Sequence, residues 1–129
     1  MEQADNPSSP ARVQDLGSAR EGVGQWWMQR MTAVALIPLT LWLVASFLQH
    51  VADDYAALTA WLRRPLAAVL MVLLLMALCY HMALGLKVIV EDYVHVERVK
   101  VASVALIHLL SVALAVAGIF ATLRIALAG

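Results

Sequence analysis

His81 is the residue whose type and position most strongly indicate chemistry. It lies inside a long apolar run, in the segment Cys79-Tyr80-His81-Met82. An ionisable side chain at such a depth is costly and indicates a function. A neutral imidazole is a good ligand for iron, and Gly85, one turn later, would leave room on the same face for a flat macrocycle. A buried histidine can equally form an interhelical hydrogen bond, so residue chemistry alone leaves heme ligation and a structural role both open.

Asp92 and Tyr93 follow His81 by eleven and twelve residues, where the apolar run ends. Because a helix turns by about 100° per residue, Asp92 returns to the His81 face, and Tyr93 lies about 18 Å further along the axis. A carboxylate beside a phenol at a membrane surface could polarise the hydroxyl towards an oxygen-bearing ligand. The alternative is an ordinary interfacial tyrosine beside a solvated aspartate.

Two further polar residues occupy apolar segments. Arg30 stands where the first segment begins. It could reach lipid headgroups, or bind the carboxylates of a cofactor in the bidentate manner of a guanidinium. His108 lies in the third segment, at a depth close to that of His81 if the two helices form an antiparallel hairpin. The geometry therefore permits a metal site with two histidines from this one chain.

Composition indicates that lipid is the solvent for most of the chain. The 129 residues are 63% hydrophobic and 14% charged, whereas soluble domains have about 45–50% apolar and about 25% charged residues. The net charge of zero argues against a nucleic-acid partner. Cys79 is the single cysteine, which excludes a disulfide framework and a cysteine metal site.

The pattern predicts an all-α membrane protein with three transmembrane helices, over about residues 27–48, 65–90 and 101–127. Each segment exceeds the roughly 20 residues needed to cross a bilayer core, and spans exposed to lipid must be helical. Residues 1–25 are polar and carry acidic residues and prolines. We expect them to be a largely disordered cytoplasmic tail, and residues 26–129 to form the three-helix anchor domain.

The basic residues predict the orientation, since they concentrate on the cytoplasmic side of membrane proteins. The tail and the 91–100 linker contain more basic residues near the spans than the opposite side does. The first group is Arg12, Arg20, Arg30, Lys87, Arg98 and Lys100, and the second is Arg63, Arg64 and Arg124. The N-terminus is therefore expected in the cytoplasm.

Three motifs together resemble a known family. They are Arg30-Met31-Thr32-Ala33 at the head of the first span, His81 with Gly85 in the second, and the Asp92-Tyr93 pair at its end. In this combination the chain resembles the hydrophobic membrane anchor subunits of succinate dehydrogenase, over roughly residues 17–129. The spacing from the histidine to the Asp-Tyr pair is the most specific of these features.

The resemblance implies a place in respiratory complex II and a heteromeric helix bundle. In that complex a flavoprotein subunit oxidises succinate and an iron–sulfur subunit relays the electrons. Two anchor subunits, the second of the cytochrome b type, bind heme b between them and form a ubiquinone site near the cytoplasmic surface. The resemblance makes His81 an axial ligand of the heme iron, with the second histidine from the partner anchor. It places Tyr93 on a quinone oxygen, Asp92 beside it, and Arg30 near the heme propionates.

The expected function is that of a subunit without catalysis of its own, in the bacterial cytoplasmic (inner) membrane. It would help to bind heme b and ubiquinone and would tether the flavoprotein and iron–sulfur subunits. Two alternatives stay open: an anchor of fumarate reductase, which runs the same chemistry in reverse, and a small non-redox membrane scaffold or assembly protein.

Overall fold

The computed structural model describes the backbone of residues 10–128 and the side chains from Arg20 onwards. Within that range the chain forms four helices: α1 (Pro10–Gln49), α2 (Tyr55–Leu62), α3 (Pro65–Tyr93) and α4 (Glu97–Leu127). Three helical stretches, Arg20–Gln49, Pro65–Tyr93 and Glu97–Leu127, are long and apolar enough to cross a membrane. The predicted all-α protein with three spans is confirmed.

Helix α1 begins earlier than the sequence led us to expect. Residues 10–25 are helical, where we expected an irregular tail; residues 1–9 of that tail lie outside the described range. Two features explain the helix. Pro10 suits a first helical turn, which needs no N–H there. Seven of the eleven residues 11–21 are alanine, arginine, glutamine, leucine or glutamate, which favour helix. The apolar span that follows supplies a helix from which these turns propagate without a new nucleus.

The linker between α1 and α3, residues 50–64, and the linker between α3 and α4 are both short. The first contains α2, whose N-cap is Asp54: its carboxylate accepts a hydrogen bond from the Ala57 N–H at 2.8 Å. Trp61 of α2 stacks on Trp42 of α1, with ring centroids 5.8 Å apart. The second linker shrinks to residues 94–96, because α3 continues to Tyr93 and α4 starts at Glu97. Helices α3 and α4 therefore form a tight antiparallel hairpin.

Helix α3 is the centre of the described structure. It packs against both α1 and α4, and among the described residues α1 and α4 do not pack against each other. The buried apolar residues all belong to α3, and half of them are alanines, which allow close helix approach: Ala67, Ala68, Leu74, Cys79, Ala83 and Leu84. Large apolar side chains on the outer faces, such as Leu41, Leu109 and Phe120, are mostly exposed, as expected for surfaces that meet lipid or other subunits.

Candidate functional site

His81 lies on α3 at the seam with α1, and both of its ring nitrogens face polar groups of α1. Its Nδ1 is 3.0 Å from the Thr32 Oγ1, and its Nε2 is 3.4 Å from the Gln29 Nε2. Gln29 and Thr32 are three residues apart and so occupy one face of α1. We call Gln29, Thr32 and His81 the histidine cluster. It is a polar group within the largely apolar spans of the two helices.

The Thr32 hydroxyl also contacts the backbone of its own helix. Its Oγ1 is 2.8 Å from the carbonyl oxygen of Met28 and 3.1 Å from that of Gln29. Bonding of a helical threonine to the carbonyl four residues earlier is common. Thr32 thus joins the backbone of α1 to the imidazole of α3.

The Gln29 side chain has fewer hydrogen-bond partners than the Thr32 hydroxyl. Its Oε1 is buried and has no hydrogen-bond partner among the described residues. A buried polar atom left unpaired costs roughly 1–3 kcal/mol and often marks a redox or catalytic position or an absent group. Among the described residues, the polar environment of the Gln29 amide at the His81 seam is therefore incomplete.

Gly85 was expected to clear space beside His81. A Cβ atom at residue 85 would lie 3.6 Å from the Gln29 Nε2, which is an ordinary van der Waals contact. The space beside Gly85 therefore borders the Gln29 side chain and would accept an alanine.

Two cavities line the seam on either side of the histidine cluster. One, of about 430 Å³, is lined by His81 with Ala33, Leu36, Ile37, Thr40 and Leu41. The other, of about 200 Å³, is lined by Gly22, Gln25, Trp26, Gln29, Arg30, Leu84 and Val88. Gln29 borders the second cavity and contacts His81, so the cluster lies between an apolar crevice and a cavity that contains a guanidinium.

Arg30 lines the cavity next to the histidine cluster. Its guanidinium carbon is 5.4 Å from the centre of the Trp26 ring, a cation–π geometry. The ring supports the arginine on one side and leaves its five N–H donors for an anionic partner.

Asp92 and Tyr93 are at the end of α3 and do not join the histidine cluster. The helix is continuous between them and His81, so Tyr93 lies about 18 Å along the axis from His81. Both side chains are exposed; Tyr93 is 78% exposed. The structure therefore separates the predicted residues into a mid-span site and a site at the helix end.

His108 belongs to a different surface. Its Nδ1 donates a hydrogen bond to the Val104 carbonyl of its own helix at 2.8 Å. It lines a groove of about 560 Å³ over α3, between α1 and α4, together with Thr32, Tyr80, Ser111 and mainly apolar residues. His81 is not among the residues that line this groove.

The comparison with known families agrees with this geometry. Residues 4–122 match the family described as succinate dehydrogenase/fumarate reductase transmembrane subunit. The chain belongs to this family. Members are transmembrane subunits, in line with the three apolar helices, and the chain is a multi-pass membrane protein.

Curated relatives agree with the family match. The succinate dehydrogenase hydrophobic membrane anchor subunit of Rickettsia bellii (strain RML369-C) is 29% identical over 110 residues, which cover 85% of this chain and 88% of that protein. The corresponding subunit of Rickettsia conorii (strain ATCC VR-613 / Malish 7) is 26% identical over 111 residues, with the same coverage of 85% and 88%. The succinate dehydrogenase membrane anchor subunit of Reclinomonas americana is 30% identical over 98 residues, 72% of this chain and 80% of that protein. No solved structure matches the chain significantly.

Gln29 is the residue of the cluster that the sequence analysis did not single out, and Thr32 entered it only as part of a motif. A signal for both was present. They are polar residues three positions apart on an apolar helix, and that spacing places both on one face towards a neighbouring helix.

Proposed function

We propose that this member of the family is the membrane anchor of a succinate dehydrogenase, which binds heme b through His81 and quinone beside Tyr93. The observation that carries the proposal is the position of His81, a mid-span imidazole oriented by α1 and placed between an apolar crevice and the cavity of Arg30. A histidine that ligates a metal usually donates its other ring N–H to an oxygen, and Thr32 supplies that oxygen.

The residues at the seam fit a heme group. The His81 Nε2 would hold the iron, the apolar crevice beside it would accept part of the ring, and the orphaned Gln29 amide marks an incomplete polar environment. When bound, heme would supply a one-electron carrier inside the membrane. The seam provides one histidine ligand and one wall, so the second ligand and the facing wall would come from a second anchor subunit.

Arg30 is proposed to bind the propionates of the heme. It lines the cavity that also contains Gln29, next to the histidine cluster. Its charge is stabilised by the Trp26 ring, and a guanidinium matches carboxylates in a bidentate manner. A cation at this place would offset the negative charge of the propionates in a medium where isolated charges are costly.

Tyr93 is proposed to donate a hydrogen bond to a quinone oxygen, with Asp92 as its acidic neighbour. Both are at the exposed end of α3, close in sequence to the charged residues Glu97, Arg98 and Lys100 at the start of α4. A quinone tail can stay in lipid there, while its head reaches groups that exchange protons with water. A positioned acid beside the phenol can orient the hydroxyl or relay a proton.

The proposed partners are a flavoprotein, an iron–sulfur subunit and a second anchor, in the bacterial inner membrane with the N-terminus in the cytoplasm. The anchor names of the curated relatives support this role. The exposed apolar outer faces of α1 and α4 also support a bundle with further helices. Because these relatives are named for succinate dehydrogenase, we favour succinate oxidation over fumarate reduction.

The test is a difference spectrum of the purified complex, reduced minus oxidised, for His81→Ala with His108→Ala as the matched control. We expect His81→Ala to lose or loosen the b-type heme, and His108→Ala to keep it. Heme at the native level in His81→Ala, or its full loss in His108→Ala, would refute the assignment. A non-redox scaffold would show no b-type band even in the unmodified complex, and it would not co-purify with a flavoprotein and an iron–sulfur protein.

A further inference from the structure

We propose that Thr32 is a positioning residue, which fixes the proton of His81 on Nδ1 and so presents Nε2 as an unprotonated ligand nitrogen. This inference rests on the proposed function, in which the His81 Nε2 holds the heme iron. It adds a residue of α1 that touches the imidazole and controls which of its two nitrogens can bind a metal.

The first step concerns the single proton of the Thr32 hydroxyl. The oxygen is 2.8 Å from the Met28 carbonyl and 3.1 Å from the Gln29 carbonyl. Carbonyl oxygens only accept, so the short contact with Met28 requires the hydroxyl to donate there. The Thr32 Oγ1 is then left as an acceptor towards the His81 Nδ1, 3.0 Å away. The Nδ1 must therefore carry the proton.

The second step concerns the other ring nitrogen. A neutral imidazole has one N–H and one lone pair, so a proton on Nδ1 leaves the lone pair on Nε2. The group that faces Nε2 is the amide nitrogen of Gln29, 3.4 Å away. That nitrogen is a donor, which suits a lone pair. The same orientation turns the Gln29 Oε1 away from the ring, where it is buried without a partner.

The opposite tautomer, with the proton on Nε2, fails at the Thr32 end of the ring. Thr32 would have to donate to Nδ1, which would leave its oxygen 2.8 Å from the Met28 carbonyl with no proton between the two oxygens. Only the Nδ1–H form pairs a donor with an acceptor in both contacts of the Thr32 hydroxyl.

The consequence for the metal site is electronic as well as geometric. An oxygen that accepts from Nδ1–H fixes the plane of the ring and makes Nε2 a stronger electron donor. A stronger donor stabilises the ferric state more than the ferrous state and so lowers the reduction potential. Gln29 must turn aside when Nε2 binds another atom, which releases its buried Oε1 from the unpaired position.

The experiment compares three variants of the intact complex. Thr32→Val keeps the shape of the side chain and removes the hydroxyl, and Thr32→Ser restores the hydroxyl. Thr122→Val is the matched control, because the Thr122 hydroxyl donates to the Gly118 carbonyl of its own helix at 2.8 Å but contacts no histidine. The measurements are the midpoint potential of the heme by redox titration, the g-values of the ferric heme by EPR, and the ratio of heme to flavin.

We expect Thr32→Val to raise the midpoint potential, to change the g-values, and to weaken heme binding by roughly 10- to 100-fold, as the loss of such outer contacts typically does. A tenfold loss of the preference for ferric over ferrous iron corresponds to a shift of about 59 mV. Thr32→Ser should return all three quantities towards the native values, and Thr122→Val should leave them unchanged.

Native potential and g-values in Thr32→Val would overturn the inference, as would a serine variant that fails to restore them or an equal shift in Thr122→Val. If the valine complex does not assemble, Thr32→Ala removes the hydroxyl without added bulk. Failure of both to assemble, with the serine variant intact, would show that Thr32 serves folding and would also overturn the inference. Failure of the proposed function is distinguishable, since it shows as heme retained in His81→Ala.

Discussion

The substitution Tyr93→Phe isolates one hydrogen bond. Tyr93 is the last residue of α3 and 78% exposed, so its hydroxyl contributes little to the packing of the subunit. Phenylalanine keeps the ring and removes the donor. We therefore expect unchanged assembly and heme content, since the histidine cluster lies about 18 Å away along the helix.

The expected effect is confined to the quinone. A hydrogen bond left unmade at a site built to supply it costs about 1–3 kcal/mol, so quinone reduction or apparent quinone affinity should fall roughly 5- to 150-fold. Succinate oxidation with a dye that takes electrons upstream of the quinone should stay at the native rate. Both rates can be measured on the same membrane preparation.

Tyr55→Phe provides the matched control for this experiment. Tyr55 is 80% exposed and starts α2, at the opposite end of the spans from Tyr93. Its variant should reduce quinone at the native rate. Native quinone kinetics in Tyr93→Phe would refute the reasoning, because Tyr93 would then be only an interfacial aromatic residue. Equal losses in both variants would refute it too, since they would indicate a general effect of removing a surface hydroxyl.

Two further predictions concern the seam and the hairpin. Arg30→Leu should lower the heme midpoint potential in a redox titration, because loss of a nearby positive charge disfavours the added electron; an unchanged potential would mean that Arg30 serves only lipid headgroups. Gly118→Ala should be less thermally stable than Gly85→Ala. Both substitutions gain about 1 kcal/mol of helix propensity. However, a Cβ at residue 118 would lie only 3.1 Å from the Leu75 Cδ1, whereas a Cβ at residue 85 would lie 3.6 Å from the Gln29 Nε2. Thermal unfolding of the solubilised complexes gives the ranking, and the reverse order would contradict it.

The spans were predictable from the sequence because lipid imposes one rule on every residue within it. Apolar length alone predicts a helix there, and the predicted spans lie inside α1, α3 and α4. The helix ends were less predictable, because no such rule applies at the membrane surface. Residues 10–25 are helical in the structure, and their helix propensity and the attached span favour this, whereas their charges and prolines had suggested a polar tail. Helix α2 had a local signal that was overlooked, an aspartate three residues before the amide that it caps.

The candidate site was predictable in its residue types and not in its contacts. His81 and Arg30 are conspicuous because they are ionisable groups in or next to an apolar segment. Gln29 is an uncharged residue whose importance appears only when α1 lies against α3 and its amide faces His81. The distance in sequence between Gln29 and His81 is 52 residues, and no local pattern determines which face of α1 meets α3.

The contrast between His81 and His108 shows what makes one histidine the stronger candidate. Both occupy apolar spans, and both have Nδ1 next to an oxygen, so the chemistry of the ring does not separate them. The surroundings of the two histidines distinguish them. The oxygen for His108 comes from its own helix, and among the described residues that line its groove there is no arginine or lysine. The oxygen for His81 comes from Thr32 of a second helix, on which Arg30, two residues earlier, lines the adjoining cavity. A heme needs a ligand nitrogen and a cation for its propionates together, and within the described structure that combination occurs at the seam of α1 and α3.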